Sequence, residues 1–375
     1  MMNHANDAII TVFMCGDVMT GRGIDQVLPR PSAPRIFEPF AQDARRYVEL
    51  AEKANGPIPK PVDFGYIWGE SLEQFKRLQP DVRLINLETS VTACDTNWRG
   101  KGINYRMHPD NFPAIMAAGI DVCALANNHV LDWGYPGLEE TLSTLEVAGV
   151  KGVGAGRDLA MAAAPATVPV AGKGRVHVFS FGDTSSGIPA NWAAGESRPG
   201  VNLLPDLSER TVRNIGERVR QVKERGDLVI ASIHWGDNWG FDIPREHVAF
   251  AHRLIDDAGI DILHGHSSHH VKGIEVYREK PIIYGCGDFI SDYEGVGGYE
   301  QYQGDLGLMY FVGMVTGNSG LATLRLIPTQ VRRFRVTRAS MSGVQWLRDT
   351  LNREGKGFGT HVEDGEDQTL VLRWE

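Results

Sequence analysis

IDILHGHSSHHV, residues 260–271, is the stretch that decides how this chain is built. An apolar run of strand length stops at imidazoles, with His264, His266, His269 and His270 falling inside seven positions. The same grammar recurs along the chain. AIITVFMCGD (8–17), VRLINLETS (82–90), IDVCALANNH (120–129), GRVHVFSFGD (174–183), GDLVIASIHWGD (226–237) and KPIIYGCGDF (280–289) are apolar runs closed by polar residues. Between several of them, residues 64–78, 109–119, 136–149, 207–226 and 245–259 place apolar side chains at helical spacing. Strand, helix, strand repeated in this way predicts an α/β chain with layered sheets flanked by helices.

Past residue 305 the pattern changes. LGLMYFVGMV (306–315), LATLRLIPTQ (321–330) and RFRVTRAS (333–340) predict successive antiparallel strands. VQWLRDTLNREG (344–355) predicts a short helix, and TLVLRW (369–374) a last strand. No linker separates these parts, so residues 1–375 read as a single domain, with 306–375 as its antiparallel end. Residues 29–63, rich in Pro and charge, read as an insertion lying over the site.

A net charge of −9, with no basic block to offset it, argues against nucleic acid or an anionic membrane surface as the main partner. The densest cationic run, VRRFRVTR (331–338), alternates with apolar residues and reads as an exposed strand face. Cys15, Cys94, Cys123 and Cys286 are widely spaced without a CxxC pair, and read as free thiols of a reducing compartment. Cys15 and Cys286 each lie beside an Asp of interest, which makes a cysteine nucleophile the minor alternative. The N-terminus, MMNHANDAIITVFMCGD, has no charged n-region or long apolar stretch, and no run of about 18 apolar residues occurs anywhere. A cytoplasmic chain without a membrane anchor is the expectation.

The residues able to do chemistry fall at the carboxyl ends of the predicted strands, where open α/β sheets bind ligands. They are Asp17, Glu88, the trio Asn127, Asn128 and His129, then His234, Asp237, His266 and Asp288. One such residue is an ordinary turn Asp or capping Asn. Six strand ends supplying them together point to a shared metal site. Its donors mix oxygen and nitrogen without thiolate, which suits an open, solvent-reachable cation better than a structural zinc.

GDVMTGR (16–22), NLETS (86–90), ALANNHVLDWG (124–134), IHWGDNW (233–239), HGHSSHHV (264–271) and YGCGDFISD (284–292) carry a resemblance. In this order they are similar to the motifs of the CapA family, named for poly-γ-glutamate capsule biosynthesis, and they span about residues 9–315. The resemblance implies the calcineurin-like metallophosphoesterase fold, in which two metals sit between two sheets. It carries the first Asp onto Asp17, the bridging carboxylate onto Glu88, the Asn of the Gly-Asn-His motif onto Asn128, and the later histidines onto His234 and His266. Two positions depart from the pattern. Met19 stands where the Asp-x-His motif has its imidazole, and Gly265-His266-Ser267-Ser268 lacks the second imidazole of Gly-His-x-His. One metal site thereby loses two ligands, and a single divalent cation is expected: Ca²⁺, Mg²⁺ or Mn²⁺ first, Zn²⁺ or Fe as alternatives.

Imidazoles not needed as ligands are free to move protons near neutral pH. His129, His269 and His270, with Asp237 and Asp288 as partners that orient a ring, are the candidate acid–base groups; bystander roles in loop or core are the bland reading for each. Asp132 reads as a cap for the helix beginning near Gly137 rather than as a catalyst. Arg22 and Arg106 are candidates to grip a carboxylate or phosphate, with structural ion pairing as the alternative. Trp235, with Trp133 and Trp239, is a candidate pocket wall or ordinary packing.

Three functions follow. The favoured one is acid–base epimerisation, L to D, at a Cα of a precursor peptide, by resemblance to peptide epimerases of this family. Beside it stand metal-dependent hydrolysis of a phosphoester, amide or γ-glutamyl bond, and a part in poly-γ-glutamate capsule synthesis. The expected partner in each is a peptide or amino-acid polymer.

Overall fold

In the computed structural model, which describes residues 8–317 and 319–375, the strand Ile9–Val18 is the seam of the larger sheet. On one side it pairs in parallel with Val82–Leu87, followed by Val122–Ala124 and Lys151–Val153, also parallel. On the other side it pairs antiparallel with Leu306–Val315, and the sheet continues through Leu321–Arg332, Leu370–Trp374 and Thr360–Asp364. The C-terminal strands therefore extend the same sheet that the N-terminus begins. The second sheet runs Ala166–Val170, Gly174–Gly182, Leu228–His234, Ile262–His266, Lys280–Ile283 and Ile274–Tyr277.

The two sheets face each other because each strand alternates. Ile10, Val12 and Met14 of the first strand pack with Leu228, Ile230 and Ile262 of the second sheet. Phe13 and Cys15 turn the other way, into a layer with Phe75, Leu138 and Leu142 from the helices Ser71–Leu78 and Gly134–Ala148. In the second sheet Val229, Ala231, Ile233 and Leu263 pack on Val212, Ile215, Phe250 and Leu254 of the helices Glu209–Val222 and Arg245–Asp256. Each aliphatic side chain fully buried in these layers contributes about 1.5–3 kcal/mol. The result is the expected layered α/β arrangement, with helices outside and two sheets inside. Period two has a consequence for chemistry: His234 and His266 share the inward face of Ile230 and Ile262, so both imidazoles end up between the sheets.

The stretch 280–289, which reads as one strand, is two. Lys280–Ile283 belongs to the second sheet, and Asp288–Ile290 pairs in parallel with the end of Ile9–Val18, Asp288 opposite Asp17. Gly287, with φ 77°, lets the chain cross from sheet to sheet. The crossing is so close that a Cβ on Gly16 would sit 1.6 Å from the Gly287 carbonyl oxygen. The predicted helix 64–78 breaks at Gly69 (φ 47°) into a 3-10 turn, Tyr66–Trp68, and the helix Ser71–Leu78. That over 109–119 breaks before Pro113, which lacks a donor. The segment 29–63 holds a hairpin, Arg35–Glu38 with Ala41–Asp43, and a helix, Arg45–Asn55, that its composition hid. Among the described residues no helix is long and apolar enough to cross a membrane.

Candidate metal centre

The ends of the inner strands deliver three carboxyl groups to one buried place. Asp17, Glu88 and Asp288 are at most 2% exposed. The Asn86 amide donates to Asp17 Oδ1 at 2.7 Å and to Glu88 Oε2 at 3.2 Å, and the Ser267 backbone N–H donates to Asp17 Oδ2 at 3.3 Å. These bonds do not offset the crowding. Burial, then the charge of Asp288, raises Asp17 above the usual carboxylate range. Burial, then Asp17, raises Glu88 well above it, and burial raises Asp288. Carboxyl groups packed this way hold protons unless a cation stands among them.

The imidazoles complete the set. One ligand atom from each of Asp17, His234 and His266 lies within 4.8 Å of the others, and the same is true of Asp17, His269 and Asp288. Burial keeps His234 and His266 well below the usual histidine range, so both rings are neutral and have a lone pair to give. His234 Nε2, Asn128 Oδ1 and Asp288 Oδ2 are buried without a hydrogen-bond partner among the described residues. Each such orphan costs about 1–3 kcal/mol, which coordination would remove. These His and Asp groups could hold a metal ion. Of the two asparagines, Asn127 is locked by bonds to Asn86 Oδ1 (3.0 Å) and the Leu87 carbonyl (2.9 Å), which leaves Asn128 as the one with a spare acceptor.

His269 is brought in by a kink. Ser267 has φ 101°, a left-handed backbone that costs a non-glycine residue about 1–3 kcal/mol. Past the kink, His269 Nδ1–H donates to Asp288 Oδ1 at 2.8 Å. Burial works against charging this ring, but Asp288 outweighs it and holds the pKa above the ordinary value.

On the other flank, His129 Nδ1 lies 2.6 Å from Asp132 Oδ2, while its Nε2 faces Glu88 Oε1 at 3.8 Å. Lys101 Nζ lies 2.9 Å from the same Nδ1 and is paired with Asp132. Burial pushes His129 down to about 4, Asp132 pulling up and Lys101 pressing down. Asp132 is therefore no helix cap. It is fully buried, accepts the Tyr105 N–H at 2.7 Å and orients His129, while the helix Gly134–Ala148 starts without a side-chain cap. Lys101 escaped the sequence reading. It lies in the glycine-rich loop WRGKG (98–102), held by Trp98 against Trp192 and Tyr135, and only the fold places it at a motif.

Other residues singled out in the sequence lie elsewhere. Arg22 is spent on Asp292 through Nε (3.2 Å) and Nη2 (2.5 Å), and on Glu38 (2.8 Å) and the Tyr47 hydroxyl (2.9 Å) through Nη1. Its guanidinium lies between the rings of Tyr47 and Tyr105. Arg106 binds the carbonyls of Cys94 and Ala33 and the Asp95 carboxylate, stacked on Trp133. Trp235 belongs to the helix-side core, its N–H donating to the Tyr284 carbonyl at 3.1 Å and its ring stacked on His247. Asp237 is exposed and bonds no imidazole among the described residues. His270 donates from Nδ1 to the Val271 carbonyl at 3.0 Å and packs among Phe241, Tyr302 and Trp239, where burial keeps it down near 4. Burial pushes the thiols of Cys15, Cys123 and Cys286 up, the opposite of what a nucleophile needs.

Comparison with known proteins adds the context. The family model of the bacterial capsule synthesis protein PGA_cap matches residues 11–293. A probable polyglutamine synthesis accessory protein of Mycobacterium tuberculosis is 48% identical over 98% of this chain and 97% of its own length. The PGA biosynthesis protein CapA of Bacillus subtilis is 28% identical over 76% of this chain and 64% of its own. A solved structure described as a novel phosphatase of Mycoplasma pneumoniae covers 90% of this chain at 11% identity and a TM-score of 0.47, too loose a likeness to transfer chemistry. None of these names concerns epimerisation at Cα; they favour the polymer-synthesis reading that stood beside it. The chain belongs to the CapA family of bacterial capsule synthesis proteins.

Proposed function

We propose that this chain is a cation-dependent enzyme of glutamate-polymer synthesis that hydrolyses an amide link, of the γ-glutamyl type, in the polymer or its precursor. The observation that carries the reading is the buried group Asp17, His234 and His266 set beside two imidazole–carboxylate pairs. The names of the relatives supply the substrate class. A single divalent cation, Mg²⁺ or Mn²⁺ before the others, would be held by Asp17, His234 and His266 with Glu88 and Asn128. When bound, it polarises a carbonyl and lowers the pKa of water.

The chain's own groups do the rest. His269, whose pKa Asp288 holds above the ordinary value against burial, can give a proton at Nε2. His129, neutral and oriented by Asp132, accepts or returns one at the opposite flank. General acid–base help of this kind is worth about 10²–10⁴-fold. Both arginines that a phosphoester would have called upon are occupied by internal partners, which favours the amide.

The test is incubation of the full chain with γ-linked oligoglutamate and Mn²⁺ in H₂¹⁸O, with mass spectrometry of the products. New chain ends carrying ¹⁸O, lost on chelation and in Asp17→Asn, are expected. Absence of cleavage with any divalent cation overturns the hydrolase reading. Deuterium entering Cα from heavy water without cleavage would restore epimerisation in its place.

A further inference from the structure

Between the two sheets, a line of hydrogen bonds joins a backbone carbonyl to the cation group. His264 Nε2 lies 2.7 Å from the Cys15 carbonyl oxygen, and His264 Nδ1 lies 3.0 Å from Ser232 Oγ. The same hydroxyl lies 2.8 Å from His266 Nε2, and His266 Nδ1 lies 2.8 Å from His234 Nδ1. All four side chains are at most 1% exposed. Neither His264 nor Ser232 belongs to the cation group.

Each bond admits one direction. A carbonyl only accepts, so the Cys15 oxygen forces the proton of His264 onto Nε2. His264 is fully buried and its ring nitrogens meet the Cys15 carbonyl and the Ser232 hydroxyl, with no carboxylate to stabilise a charge, so the neutral ring leaves Nδ1 as a bare lone pair. Ser232 then has to donate its single O–H to that nitrogen. Having spent its proton, the hydroxyl oxygen accepts from His266 Nε2–H. His266 is neutral as well, so its Nδ1 carries the lone pair on the side of the cation group. His234 donates Nδ1–H into that lone pair, because the Asn86 amide, 3.5 Å from the same nitrogen, spends both its hydrogens on Asp17 and Glu88, and His234 Nε2 is left bare. That nitrogen is indeed buried without a partner and faces Glu88 Oε1 at 3.9 Å.

We infer that Ser232 and His264 are positioning residues that fix the tautomer of His266, presenting Nδ1 to the cation, with the Cys15 carbonyl as the fixed end of the relay. The inference rests on the cation reading of Asp17, His234 and His266. The site does not have to select a tautomer when the cation arrives, because the backbone has selected it already. Partners of this kind are worth about 10–100-fold in metal affinity.

Two variants test it, read by ¹⁵N NMR of the histidine rings in the chelated full-length chain and by Mn²⁺ titration calorimetry. Ser232→Ala removes the relay: His266 should become a mixture of tautomers and Mn²⁺ should bind about 10–100-fold more weakly. His264→Phe frees the Ser232 hydroxyl to donate to His266 Nε2, so His266 should invert to the Nδ1–H form, with a similar loss of affinity. Ring spectra identical to the parent chain in both variants overturn the inference, as does weaker binding without a tautomer change, which marks a packing effect. The NMR arm needs no cation, so a parent chain that binds no Mn²⁺ overturns the cation reading while the tautomers still judge the relay.

Discussion

His129 and His269 flank the same buried carboxylates, each with an Asp within 2.8 Å of Nδ1, yet their pKa values are shifted in opposite directions. Burial opposes charge in both rings. At His269 the Asp288 carboxylate prevails and the ring is held above the ordinary histidine pKa. At His129 burial prevails and the ring falls to about 4, Asp132 pulling up while Lys101, against the same nitrogen and paired with Asp132, presses down. The two rings differ in the charge beside each pair, an ammonium group at His129 and a second carboxylate, Asp17, near His269. An imidazole–carboxylate pair therefore has no fixed role; the third charge sets it.

The strongest way to break this comparison is Asp288→Asn. It removes the charge that outweighs burial, so the His269 midpoint should fall below the ordinary value in an NMR pH titration. Oligoglutamate cleavage should fall by about 10²–10⁴-fold. An unchanged His269 midpoint would show that Asp288 is not what holds its proton. Next in size is Lys101→Met, which should raise the His129 midpoint by about one unit, equivalent to ~1.4 kcal/mol. The two flanks then draw closer, and the acid limb of the pH–rate profile should move up with the midpoint. A profile that stays put would remove His129 from the reaction.

Stability offers a smaller effect with a definite sign. Asp17, Glu88 and Asp288 have folded pKa values above their unfolded ones. Their contribution is complete below the unfolded carboxylate pKa and is lost as pH rises through the folded one. His234 and His266 are shifted down, so what they contribute is lost only as pH falls below about 6.5. From pH 6.5 to 8 the carboxyl effect operates together with the loss of the His269 proton, whose pKa is also raised in the fold, and both lower stability as pH rises. The chelated chain should melt lower at pH 8 than at pH 6.5, by about 1–2 °C for each kcal/mol lost. Mn²⁺ should recover more at the higher pH, and equal recovery at both would count against carboxylate ligation. The smallest effect belongs to Trp235→Phe. Losing the bond to the Tyr284 carbonyl costs about 0.5–1.5 kcal/mol, and Mn²⁺ affinity should not change.

The layered sheets and the strand-end location of the chemistry were legible because both rest on local pattern. Alternating apolar residues name the buried face, and polar punctuation marks where each strand stops. Charge partnership was not legible. Arg22 and Arg106 read equally as grips for a ligand or as structural ion-pair partners, and only the fold brings Asp292, Glu38 and Asp95 to them. Asp237 and Asp288 end similar strands, but the crossing at Gly287 carries Asp288 between the sheets while Asp237 stays at the surface. Trp235 sits one residue after His234, and that single step of the pleat turns its ring toward the helices. Lys101 had no motif at all. Its part depends on a loop pinned by Trp98, a contact of long range in sequence.

The central claim is that one cation is held by Asp17, His234 and His266, leaving His269 and Asp288 to handle a proton. Crystals of the Mn²⁺-loaded chain, measured at the manganese absorption edge, test it most directly. The account predicts one anomalous peak per chain, within coordination distance of Asp17, His234 and His266. A second full peak bonded to His269 and Asp288, or none beside Asp17, would contradict it.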